Sequence, residues 1–183
     1  MTATGIRMTA DELLRLPDNG MRRELIDGEL HEWPLNGGEH GFVSGRVAGR
    51  LGTFIERQPG DRGGLFATGT GFWLAHNPDT VRAPDVAFVS EERLDRACVP
   101  GYPEMAPDVV VEVVSQDDLA DELQAKVDQW LRAGSLQVWV LYPATRSAMT
   151  YRADGVVALL HADDSLHGDP VLPGFACRVG DLF

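Results

Sequence analysis

The run Pro107-Asp108-Val109-Val110-Val111-Glu112-Val113-Val114 decides how this chain is read. Near-continuous valine over this length is the mark of a strand covered on both faces, since β-branched side chains suit the pleated backbone and nothing in the run suits water. Alternation puts Asp108, Val110, Glu112 and Val114 on one face and Val109, Val111 and Val113 on the other. Glu112 therefore stands in the middle of a buried strand, where an ionised carboxylate without a partner costs several kcal/mol. A divalent cation, a basic partner or protonation would each compensate it.

Working outward from that strand, the segment from about Asp117 to Ala133 carries Leu119, Leu123, Val127, Trp130 and Leu131 in helical register. Ser115 with Asp118 supplies an N-terminal box and Gly134 a stop. Val138-Trp139-Val140-Leu141-Tyr142 follows as a second buried strand. Upstream, Pro84–Ser90 and the longer Leu65–Ala75 both read as strands, separated by turn material at His76-Asn77-Pro78-Asp79. Before them, Val43, Val47, Leu51, Phe54 and Ile55 predict a helix from about Glu39 to Arg57, with His40 on its buried side. Gly41, Gly45 and Gly49 cost this helix propensity, and their spacing predicts close packing against a neighbour.

The ends of the chain read as smaller elements. Thr9-Ala10-Asp11-Glu12 is a capping-box pattern that opens a short helix ending near Pro17. Asp27-Gly28 joins two strands into a hairpin, and Asp154-Gly155 joins two more near the C-terminus. The central order is helix, strand, strand, strand, helix, strand, in an α+β chain.

Composition bounds the function. The 183 residues hold 28 Asp+Glu against 16 Lys+Arg, a net charge of −12, so a protein that coats DNA through a broad basic surface is excluded. From Asp108 to Asp128 seven acids face one lysine, which concentrates half of the net charge in one stretch. No apolar run is long enough to span a membrane, and the N-terminus has no leader pattern. Cys98 and Cys177 are too few and too far apart for a disulfide framework or a cysteine zinc site. No phosphate-loop spacing, no HExxH and no serine or cysteine nucleophile constellation occurs.

The carboxylates carry the chemistry. Asp85 opens the strand before the valine strand; if the two strands pair, Asp85 and Glu112 converge and can share one divalent cation. That is the minimum equipment for metal-assisted hydrolysis of a phosphodiester. Lys126 lies at the border of the apolar face of the following helix, within reach of both acids. The plainer alternative is a buried Glu112–Lys126 ion pair without catalysis. Asp108 reads as a cap at the strand entrance, and Arg46, Arg50 and Arg57 as a solvated stripe or as phosphate contacts.

Taken in order, Arg23-Glu24-Leu25-Ile26-Asp27-Gly28-Glu29-Leu30, His40 at a helix start, Pro84-Asp85-Val86-Ala87-Phe88-Val89, Pro107-Asp108-Val109-Val110-Val111-Glu112-Val113, Lys126 with Trp130, and Val138-Trp139-Val140-Leu141-Tyr142-Pro143 resemble the Uma family of restriction-endonuclease-like proteins. The resemblance spans nearly the whole chain. It implies a PD-(D/E)XK nuclease fold with an αβββαβ core, a mixed central sheet flanked by helices, and added N-terminal and C-terminal β-hairpins. The chain is then one domain, 1–183, with an N-terminal helix and hairpin over 1–36, the core over 39–143 and a C-terminal β extension over 144–183.

The resemblance further implies an Mg²⁺- or Mn²⁺-dependent endonuclease. Asp85 and Glu112 would be its metal-binding acids, Lys126 its basic residue, Glu24 an extra metal ligand and His40 a phosphate or water contact. The usual superfamily lysine position, two after the second acid, is here Val114, and the family's Ser-Pro-Ser loop is replaced by Ser115-Gln116-Asp117-Asp118. The implied substrate is nucleic acid, DNA foremost, and the implied setting a cytoplasmic homodimer, to which exposed strand edges and Trp33, Phe42 and Phe183 also point. The alternative within the same fold is a non-catalytic module for DNA association or protein interaction.

Overall fold

The computed structural model describes residues 7–60, 63–116 and 118–183. Its elements run α1 (Ala10–Arg15), β1 (Arg22–Ile26), β2 (Glu29–Trp33), α2 (Gly38–Arg57), β3 (Gly64–Ala67), β4 (Phe72–Ala75), β5 (Thr80–Arg82), β6 (Val86–Val89) and α3 (Glu91–Ala97). They continue with β7 (Val109–Val113), α4 (Ala120–Arg132), β8 (Gln137–Tyr142), β9 (Ser147–Arg152), β10 (Val157–Leu160), β11 (Ser165–His167) and β12 (Ala176–Arg178).

The valine strand β7 is central, as its composition requires. It pairs antiparallel with β6 and parallel with β8 inside a six-stranded sheet of order β10-β9-β8-β7-β6-β3. A parallel pair needs a crossover, and α4 supplies it. One face of the sheet (Val86, Val109, Val111, Val113, Trp139, Leu141) packs under Val43, Val47, Leu51 and Ile55 of α2, together with the C-terminal Phe175, Val179 and Leu182. The opposite face (Ala87, Val89, Val110, Val138, Val140) packs under Val127 and Trp130 of α4. Each face has its own helix, so both halves of the alternation are apolar and only Glu112 interrupts them. The core is thus α2, β3, β6, β7, α4, β8, an α+β arrangement of the expected αβββαβ order.

A second sheet of order β2-β1-β5-β4 stands beside the first, with α1 packed on it through Ala10, Leu13, Leu25 and Val81. Both halves of the Thr9–Glu12 capping box form. The β1–β2 turn places Asp27 at φ +50° and Gly28 at φ +81°, the pair of positive values that a two-residue hairpin turn of this hand requires. The C-terminal hairpin forms as β9 and β10, which extend the main sheet.

Two expectations are corrected. The stretch Leu65–Ala75 is two strands, not one: the chain turns at Thr68-Gly69-Thr70, and β3 joins the main sheet while β4 joins the small one. The glycines of α2 do not pack closely, because nothing lies within 4 Å of where a Cβ would stand on Gly41, Gly45 or Gly49. They fall off the Val43–Val47–Leu51 stripe and leave an open groove. Asp117 and the first six residues, on which the helix start and the leader reading fall, lie outside the described residues; α4 is observed from Ala120, while Asp118 accepts from the Ser115 amide at 2.7 Å ahead of it. Arg46, Arg50 and Arg57 are exposed, as a solvated stripe requires, and two of them also hold the C-terminal turn on α2: Arg46 donates to the Asp181 carbonyl at 3.0 Å and Arg50 sits 3.5 Å from the Asp181 carboxylate. Sequence reading also passed over β5, α3 and the β11–β12 hairpin, each short enough to lack a periodic signal.

Candidate active site

Glu112 and Asp85 meet at one end of the main sheet. The β6–β7 ladder pairs Val86 with Val111, and the Asp85 amide donates to the Val111 carbonyl at 3.1 Å, so Asp85 continues the register one step to stand beside Glu112. Pro84 keeps the chain extended there, as a proline constrains the residue before it. The Asp85 carboxylate accepts from the Val113 amide at 2.7 Å, which fixes it over the strand end.

Each neighbouring element then contributes a side chain. From α4, Lys126 Nζ donates to Glu112 Oε2 at 2.9 Å and lies 3.1 Å from Glu24 Oε1, while Trp130 Nε1 donates to Glu112 Oε1 at 2.8 Å. Lys126 and Trp130 are one helical turn apart, which is why both reach the same carboxylate. Glu24 comes from β1 in the small sheet. It accepts from Arg82 Nη1 at 2.7 Å and from the Ala83 amide at 3.2 Å, and Arg82 also donates to Gln129 Oε1 at 2.7 Å. From α2, His40 Nε2 lies 3.1 Å from Asp85 Oδ2, with Ser44 and Asn36 around the ring.

All five sequence-selected residues, Glu24, His40, Asp85, Glu112 and Lys126, therefore converge and line one cleft of about 260 Å³. Arg82, Gln129 and Arg22 line it too and were missed. Gln129 had a usable signal, being three residues after Lys126 on the same helix face. Arg82 had none, because only the passage of the chain from β5 to β6 carries it beneath Glu24. Asp108 stays outside the cleft and caps the Ser90 amide at 2.7 Å while pairing with Arg93, as a strand-entrance residue should.

Electrostatics separate the acids. Burial raises the Glu112 pKa; Lys126 opposes this, but Asp85 and Glu24 push the same way as burial, and the carboxyl is lifted from 4.5 to about 7. Burial also works against Glu24, yet Lys126 and Arg82 outweigh it and hold that carboxyl below the usual glutamate value. For Lys126, burial disfavours the charge, but Glu112, Glu24 and Asp85 together raise it above an ordinary lysine. Lys126 is thus a firmly protonated cation among three acids.

The donor set is of the hard oxygen type that Mg²⁺ and Mn²⁺ prefer, and Glu112 is under-compensated by the protein's own cations. As placed, each acid is held by protein groups, and among the described residues no three His, Cys, Asp or Glu side chains form a ready-made cage. The chemistry fits a divalent ion; taking one up requires these side chains to turn from their present partners.

A family model described as Uma2, "Putative restriction endonuclease", matches residues 10–180. No curated protein matches the chain. Among solved structures, one titled as a putative nuclease belonging to DUF820 from Anabaena variabilis ATCC 29413 superposes with a TM-score of 0.83 at 19% identity, covering 96% of this chain and 97% of that one. At that identity the likeness shows a shared fold.

Proposed function

The chain belongs to the Uma2 family, and from that premise we propose that it is a metal-dependent endonuclease hydrolysing phosphodiester bonds of nucleic acid, DNA foremost. The observation that carries the reading is the convergence of Glu24, Asp85 and Glu112 around Lys126 in one cleft. Asp85 and Glu112, with Glu24, would hold Mg²⁺ or Mn²⁺. Such an ion supplies a Lewis acid for the phosphoryl oxygens and a water of lowered pKa.

The chain's own groups do the rest. Lys126, kept protonated by its three acids, donates from Nζ toward the negative charge that develops on the phosphate, which favours charge stabilisation over proton abstraction at this residue. Arg82 and Gln129 hold Glu24, and Trp130 holds Glu112, so the acids start from fixed positions. His40 sets the orientation of Asp85 and stands where a phosphate or water would approach.

Plasmid and oligonucleotide cleavage with Mg²⁺ or Mn²⁺ tests the reading. The wild type cuts, and Glu112→Gln and Asp85→Asn do not. Cutting that persists without divalent ions, or in both variants, overturns it. The pairing of every acid by a protein group favours a second reading, a non-catalytic module for DNA association or protein interaction. In that case no substrate is cut and Glu112→Gln leaves cellular function intact.

Two wider features belong to the same proposal. Leu35, 75% exposed, and Phe42, 53% exposed, flank the start of α2 and support a homodimer, which sedimentation would test. Two unpaired cysteines suit a reducing cytoplasm. Among the described residues no helix is long and apolar enough to cross a membrane.

A further inference from the structure

Strand register sets a second group of side chains on the active-site cleft that hydrolysis does not use. In the β1–β2 hairpin Glu24 pairs with His31 and Arg22 with Trp33. Directly opposed residues of an antiparallel pair point the same way, so His31 and Trp33 share the face of Glu24 and Arg22. All four line the cleft. His31 and Trp33 are half-buried and stacked, with ring centroids 5.7 Å apart and planes 20° from parallel. The Arg22 guanidinium lies 5.9 Å from the Trp33 ring centroid.

The wall contributed by the start of α4 is also apolar where it matters. Leu119, 62% exposed, and Leu123 line the same cleft beside the acids Asp118 and Glu122. A stacked aromatic pair on one element and leucines on another make a slot for a flat, uncharged group. Those acids disfavour phosphates and accept hydrogen bonds from exocyclic amino groups.

Charge further restricts what enters. The cations lining the cleft are Arg22, Arg82 and Lys126, and the last two are committed to buried acids. Arg23, next on β1, is paired with Glu32. A duplex held along its backbone typically needs ~6–10 phosphate contacts, which these walls do not supply. A strand with one base turned into the slot needs far fewer.

Resting on the nuclease reading, we propose that the Trp33–His31 pair is a stacking platform for an unpaired nucleobase, so that the cleft takes single-stranded or locally unpaired nucleic acid in preference to continuous duplex. Trp33 acts in binding, not in the chemical step.

The test is fluorescence anisotropy in EDTA, where no metal supports cleavage. The probes are short labelled single strands of DNA and of RNA, the matching duplex, and a single strand with one abasic nucleotide. The single strands bind more tightly than the duplex. Trp33→Ala, checked for folding by its melting curve, weakens single-strand binding by roughly 5- to 150-fold, the range for losing one base–aromatic stack. Trp33→Phe retains most of the affinity, His31→Ala loses part of it, and the abasic probe shows no further loss with Trp33→Ala. The DNA and RNA arms identify which strand the slot prefers.

On any strand that is cut, Trp33→Ala raises KM and leaves kcat unchanged. The platform is overturned if Trp33→Ala and His31→Ala both leave single-strand binding unchanged, or weaken duplex and single strand equally. If nothing is cut but binding follows Trp33, the platform stands and the nuclease reading falls. If strands are cut without regard to Trp33, the platform falls alone.

Discussion

Replacing Lys126 by methionine keeps the unbranched side chain to within one atom of its length and removes its charge. In the wild type that charge lies 2.9 Å from Glu112 and 3.1 Å from Glu24, with the side chain only 14% exposed. Glu24 keeps Arg82, but Glu112 is left with the Trp130 N–H alone. Removing one partner of a buried pair costs ~3–5 kcal/mol, because a buried charge is left uncompensated.

The loss depends on pH, and its sign follows from Glu112. Its folded pKa of about 7 lies above the ordinary 4.5, so between those values the folded chain binds more protons than the unfolded one and stability falls as pH rises. Across that window the fall is roughly 3 kcal/mol. Without Lys126 the folded pKa rises further, and the fall continues to higher pH.

Urea unfolding of Lys126→Met against wild type should therefore show a deficit of ~3–5 kcal/mol near pH 8. Near pH 5, where Glu112 is protonated in both proteins, the deficit shrinks to about 1–2 kcal/mol, reflecting the lost contact with Glu24. An equal deficit at both pH values, or one below about 1 kcal/mol near pH 8, would refute the claim that Lys126 compensates a buried Glu112.

Other consequences are as direct. Calorimetric titration with Mn²⁺ should give a binding heat for wild type that disappears in the Asp85→Ala/Glu112→Ala double variant; binding retained by the double variant would place the ion elsewhere. Arg82→Met leaves Glu24 to Lys126 and the Ala83 amide and should cost ~3–5 kcal/mol in chemical unfolding, with Glu24→Gln in the same chain recovering part of that loss. If the two changes simply add, Arg82 does not act through Glu24. Gly63 has φ +69°, and a Cβ there would press on the Val89 carbonyl and the Phe88 ring, so Gly63→Ala should lower stability by about 2 kcal/mol or more in a thermal melt. A variant as stable as wild type would show that β3 can shift away from β6.

The helices α2 and α4 and the strands β7 and β8 were legible because each is long and strongly patterned, and burial on a sheet enforces the pattern. The candidate site was legible for one physical reason: a carboxylate in a run of valines is too costly to stand alone, so Glu112 announces that partners exist. Asp85 followed from its place at the start of the neighbouring strand, and Lys126 from its position on the helix that closes the crossover. The short β5, β11 and β12, each three residues long, give no periodicity to read.

What only the tertiary structure decided is who answers Glu24 and what else shares the cleft. Arg82 reaches Glu24 because three residues, Ala83, Pro84 and Asp85, carry the chain from the small sheet to the large one, and no local pattern encodes that step. His31 and Trp33 face the acids because hairpin register opposes them to Glu24 and Arg22. Gly41 and Gly45 of α2 line a groove whose other side is the end of β3 and the turn after it, Ala67-Thr68-Gly69. Sequence fixes which groups are too costly to bury alone; the packing of two sheets and two helices chooses their partners, because those contacts join residues that the chain itself keeps far apart.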